Sequence, residues 1–92
     1  MLYTQTGTPY YASPEVWKDL PYDSKSDVWS LGCVFYEVLS LVPPFRAKDM
    51  NGLFKKVTDG KFEEPPKVFS PELVKLITSM IKVNPKDRPS PQ

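Results

Sequence analysis

Ninety-two residues with 12 basic and 11 acidic side chains, a formal net charge of +1, make one domain at most and give no charge excess that would draw in nucleic acid or an acidic membrane. The absence of histidine removes imidazole from any acid–base scheme and from any His-based zinc site, and with a single cysteine it argues against a structural metal. That cysteine, Cys33, has no internal disulfide partner and suits a reducing compartment.

Residues 1–12 carry Thr, Gly and Pro at positions that break any period and read as a loop. Ser13-Pro14-Glu15 reads as a helix start, with Ser as N-cap, Pro at the first helical position and an acid favourable to the helix dipole. Leu20-Pro21 stops that helix early. Ser24 with Asp27 three residues on resembles a capping box, and the pattern predicts a second helix from about Lys25 to Leu41, ending before Pro43-Pro44. Val28, Trp29, Leu31, Val34, Phe35, Tyr36, Val38, Leu39 and Leu41 take its apolar character almost all the way round. Such a helix must be surrounded by protein, and the remaining elements are too few to enclose it. Glu37, Ser30, Ser40 and the two prolines make a buried helix the better reading than a membrane span.

Asp49 to about Asp59 predicts a third helix with Met50, Leu53, Phe54 and Val57 on one face and Gly60 as its stop. Lys55-Lys56 read as its wet face. Lys61 to Phe69 is a loop around Pro65-Pro66. Ser70-Pro71-Glu72 repeats the cap, proline, acid pattern and opens a fourth helix, striped by Leu73, Leu76, Ile77, Met80 and Ile81 and ended by Asn84-Pro85. No segment reads as a strand or a repeat. The expected class is all-α, with about four helices behind a long N-terminal loop.

Gly7-Thr8-Pro9-Tyr10-Tyr11-Ala12-Ser13-Pro14-Glu15, then Asp27-Val28-Trp29-Ser30-Leu31-Gly32, then Pro43-Pro44-Phe45 and Asn84-Pro85-Lys86-Asp87-Arg88-Pro89-Ser90 stand in one order and spacing. Together they resemble the second half of the C-terminal lobe of eukaryotic protein kinases, and most of all the NIMA-related serine/threonine kinases. The resemblance covers Thr4 to Ser90 and implies a partial kinase domain over residues 1–92, holding the activation-segment end, the P+1 loop and part of the helical lobe. It implies that Thr8 is the P+1-loop threonine, whose hydroxyl both donates and accepts, and that Gly7, Pro9, Tyr10 and Tyr11 shape the pocket beside the acceptor residue. Thr4, and after it Thr6, occupies the position phosphorylated for activation, where a phosphate orders a loop against basic side chains. Glu15 is implied to pair with Arg88. Asp27 is implied to accept hydrogen bonds from a catalytic loop that these residues do not contain, and Trp29 to lie in the core.

Each role has a plainer competitor: loop threonines at Thr4 and Thr6, a helix-dipole charge at Asp27, solvated charges at Glu15 and Arg88. The chemistry of phosphoryl transfer needs a Gly-rich turn, a strand lysine, a catalytic Asp, and Asn and Asp to hold magnesium. Gly7, Gly32, Gly52 and Gly60 never form Gly-x-Gly, and neither His-Arg-Asp nor Asp-Phe-Gly occurs. ATP and magnesium are therefore implied for an intact kinase, with no cofactor or metal and no catalytic residue in this segment. Two readings follow: a kinase fragment that supplies the substrate-side scaffold, inactive alone, or a non-catalytic module that competes for kinase substrates or partners. The implied partners are protein substrates and the remainder of a kinase domain. The implied location is cytoplasmic or nuclear, with the cytoskeletal and centrosomal associations of the family.

Overall fold

The computed structural model describes residues 9–66 and 68–90. Four α-helices follow one another, α1 (Pro14–Trp17), α2 (Ser24–Ser40), α3 (Met50–Asp59) and α4 (Pro71–Met80), and a 3₁₀ turn spans Pro85–Asp87. No strand occurs among the described residues, so the all-α class and the four helices hold. Short polar side chains set the starts. Ser13, Asp49 and Ser70 accept from the backbone N–H groups of Val16, Gly52 and Leu73, and proline follows Ser13 and Ser70.

Two boundaries differ from the sequence pattern. The cap of α2 is Asp23, whose carboxylate accepts from the Lys25 N–H at 2.9 Å. Ser24 is already helical, so the Ser24–Asp27 capping box does not form. The fourth helix stops at Met80 and not at Asn84-Pro85. Ile81 leaves helical geometry with φ −106° and ψ 65° and turns into the core, where it is 2% exposed. Asn84 instead caps the 3₁₀ turn, accepting from the Lys86 N–H.

The core gathers Trp29, Cys33 and Tyr36 of α2, Phe45, Leu53 and Val57 from the α3 region, and Ile77 and Ile81 from the α4 end. Trp29 stacks on Phe45 with ring centres 5.5 Å apart, and Phe45 and Tyr36 each meet Phe62 edge-on. The Tyr36 hydroxyl donates to the Glu63 carbonyl at 2.6 Å, fastening the loop after α3. α2 crosses α4 where Gly32 leaves no side chain, since a Cβ there would lie 2.7 Å from Met80 Cβ. Gly60 ends α3 in the left-handed region at φ 73°. Leu41 ends α2 in the same region at φ 67°.

Only one side of α2 is covered. Leu31, Phe35 and Val38 are 40%, 42% and 67% exposed, and Leu73 and Leu76 of α4 lie beside them, also exposed. Phe35 and Val38 with Leu73 and Leu76 border an open groove of about 250 Å³. No described helix is long and apolar enough to cross a membrane.

Candidate functional site

The segment from Pro9 through the start of α1 at Glu15 is held against α2 by polar contacts along its length. The Ala12 N–H turns back to the Pro9 carbonyl. The Ser30 hydroxyl donates to the Tyr11 carbonyl at 2.8 Å, and the Tyr11 hydroxyl donates to the Glu37 carboxylate. Ala12 and Ser13 are buried, while Pro9, Tyr10 and Tyr11 are half-buried. Gly7 and Thr8, and with them Thr4 and Thr6, lie outside the described residues.

Glu15 and Arg88, 73 residues apart, meet in a buried fork. Arg88 Nη1 donates to Glu15 Oε2 at 2.7 Å and Nη2 to Oε1 at 3.0 Å. The remaining guanidinium protons go to the carbonyls of Lys25, Lys82 and Val83, so all five donors are satisfied. The guanidinium carbon sits 5.0 Å from the centre of the Trp29 ring, a cation–π contact that Lys could not match with the same planar fit. The Ser26 hydroxyl adds a donor to Glu15 Oε2, and the Lys25 ammonium donates back to the Arg88 carbonyl at 2.6 Å. Burial alone would raise the Glu15 carboxyl, but the hydrogen bonds from Arg88 and Ser26 outweigh it and hold the group down at about 2.

Cys33 is fully buried, and burial pushes its thiol well above the ordinary range, so it is a core side chain without nucleophilic character. Trp29 is 0% exposed. Asp27 points the other way: it is exposed and lines, with Ser24, Leu31, Phe35 and Met80, an open groove of about 370 Å³. The structure thus brings Glu15, Arg88 and Trp29 together, sets Tyr11 beside Glu37, and leaves Asp27 apart on the open face of α2.

Ser26, Ser30 and Glu37 are absent from the site predicted from sequence, yet they tether the loop. Their signal lies in spacing: steps of four and seven put all three on one face of α2. Polar groups inside an otherwise apolar helix need partners when buried.

The glycines stand singly in the sequence, and no cluster of three or more Cys, His, Asp or Glu occurs among the described residues.

The protein kinase domain model matches residues 1–92. The chain is 50% identical over 90 residues to mouse serine/threonine-protein kinase Nek4, covering 98% of this chain and 11% of that protein. It is 46% identical over 87 residues to mouse Nek3 and over 87 residues to human Nek2, covering 95% of this chain in each case and 17% and 20% of those kinases. The chain therefore spans between about a tenth and a fifth of the length of these curated relatives. A kinase model matched over every residue, alongside NIMA-related relatives at this identity, means that the chain belongs to the protein kinase domain family.

Proposed function

We propose that these residues form the substrate-side part of the C-terminal lobe of a serine/threonine kinase, and that the intact protein transfers phosphate from ATP to protein Ser or Thr. The observation that carries this reading is the segment Pro9–Glu15, tied to α2 through Ser30, Glu37 and Ser26 and to the end of the 3₁₀ turn through Arg88. A loop fixed so firmly to a scaffold, with Tyr10 and Tyr11 only half-buried, suits a surface on which an acceptor peptide is laid. Gly7, Thr8, Pro9, Tyr10 and Tyr11 belong to that surface in this reading, and Thr4 or Thr6 receives the activating phosphate. Asp27, exposed beside an apolar groove, is the attachment point for the catalytic loop of the same domain.

ATP and magnesium are bound elsewhere in the intact kinase. The contribution of these residues is to hold and orient the acceptor, an effect of proximity and not of proton or metal chemistry. The 92-residue segment alone is therefore inactive.

The test compares the intact protein with the isolated segment for transfer of labelled phosphate from ATP to a Ser/Thr protein acceptor. Transfer by the intact protein and none by the segment is expected. Transfer by the segment alone, or none by the intact protein, overturns the reading.

A further inference from the structure

A further open groove, of about 390 Å³, runs between the turn after α1 and the turn after α4. Pro14, Leu20 and Pro21 line it from one side, Val83 and Pro85 from the other. The Glu15–Arg88 fork ties the two sides together across 73 residues of chain. The first side needs an unusual backbone. The Asp19 and Leu20 N–H groups donate back to the Val16 and Glu15 carbonyls at 3.1 and 2.8 Å, the paired bonds of a Schellman ending. Asp19 takes φ 58° to make them, a left-handed geometry uncommon outside glycine. The turn does not bury Leu20, which stays 52% exposed at the groove. Between Leu20 and Asp23 the chain is neither helix nor turn, and no described residue pairs with the Tyr22 N–H or with the Leu20 and Pro21 carbonyls.

Two charged side chains line the groove, Glu15 and Lys18. The Glu15 carboxylate is already engaged, since both oxygens accept from Arg88 and Oε2 accepts from Ser26 as well. Lys18 is exposed, and no carboxylate among the described residues forms an ion pair with it. The charges that adjoin the lining residues in sequence, Lys82 and Lys86 against Asp19 and Asp87, cancel. The Lys18 ammonium therefore sets the sign of the groove.

We propose that this groove docks an extended peptide segment of a partner protein, with apolar side chains against Leu20, Val83 and the prolines and a carboxylate against Lys18. An apolar trough with one unpaired cation complements that combination. The unpaired main chain of residues 20–22 gives an extended segment hydrogen-bonding partners in series, as strand addition does. The proposal goes beyond the substrate-side reading, and none of these residues belongs to the surface assigned to the acceptor.

The test uses the intact protein and three short fluorescent peptides, alternating Leu with Glu, Leu with Lys, and Ser with Glu. Anisotropy titrations compare the natural protein with Leu20→Ser and Lys18→Glu. The Leu–Glu peptide is expected to bind most tightly. Leu20→Ser weakens it about 5- to 10-fold, the size of losing one partly buried apolar contact. Lys18→Glu weakens it about threefold or more and makes the Leu–Lys peptide the better ligand, and both preferences shrink as salt rises. Both side chains are exposed, so the unfolding midpoints of the two variants match that of the natural protein.

Absence of saturable binding overturns the proposal, as does equal binding of the Leu–Glu and Leu–Lys peptides. A Ser–Glu peptide that binds as tightly as Leu–Glu also overturns it, leaving only a general attraction for anions. Self-association of the natural protein that Leu20→Ser abolishes would overturn it too, by making a second copy of the chain the occupant. None of these readouts requires phosphate transfer, so the outcome is independent of whether the kinase reading holds.

Discussion

Arg88 directs two guanidinium nitrogens to Glu15 and its other protons to three backbone carbonyls. Removing either partner leaves the other charge buried and uncompensated, which costs about 3–5 kcal/mol. Glu15→Ala and Arg88→Ala are each expected to lower the unfolding free energy of the intact domain by that amount in a denaturant titration, and an unchanged midpoint would contradict it. The pH dependence follows from the depressed Glu15 carboxyl. Its folded value lies near 2 against an ordinary 4.5, so its stabilisation is complete above about 4.5 and is lost as pH falls toward 2. The stability gap between the natural protein and Glu15→Ala should therefore narrow through that window. A gap that stays constant from pH 5 to pH 2 would show that the carboxylate charge contributes nothing.

The helices themselves were largely readable. Ser-Pro-Glu at 13–15 and 70–72 signalled two starts, and Gly60 signalled the end of α3, because caps and prolines act through local geometry. The end of α4 was not readable. It depends on Ile81 turning into a core assembled by Trp29, Cys33 and Ile77, a tertiary demand invisible in the local pattern. The cap of α2 lies one residue before the position the pattern favours, since Asp23 and Ser24 are both good caps and only the chain's entry into the helix decides between them. The loop's tethers at Ser26, Ser30 and Glu37 were legible only as a stripe, with no hint of what they would hold. At the helix crossing, Gly32→Ala is expected to destabilise by about 1–3 kcal/mol. Its Cβ would sit 2.7 Å from Met80 Cβ and 3.1 Å from Ile81 Cγ1, atoms near the backbone that cannot swing aside. A lower melting temperature checks this, and an equal one would mean that α4 slides freely on α2.

Across the whole molecule, the apolar girdle of α2 predicted from sequence is half covered. Trp29, Cys33 and Tyr36 face inward, while Leu31, Phe35 and Val38 remain open beside Leu73 and Leu76. Contiguous exposed apolar surface of this kind marks an interaction face or an aggregation hazard. The isolated 92-residue chain should bind a hydrophobic fluorescent dye, and Leu31→Lys with Leu76→Lys should abolish most of that signal. Persistence of the signal in the double variant would place the binding elsewhere.

The Glu15–Arg88 fork also orders events during synthesis. Glu15 leaves the ribosome first, and 73 residues must follow before its partner exists. At roughly 5–20 residues per second, that is about 4–15 s during which the carboxylate has no guanidinium to meet. Helices α2 and α3 can form in that interval, and Tyr11 can meet Ser30 and Glu37, but Glu15 cannot complete its buried fork. The junction that joins the start of α1 to the end of the chain is thus among the last contacts to close, and a nascent chain stalled before Arg88 would carry every helix and still leave Glu15 without its guanidinium.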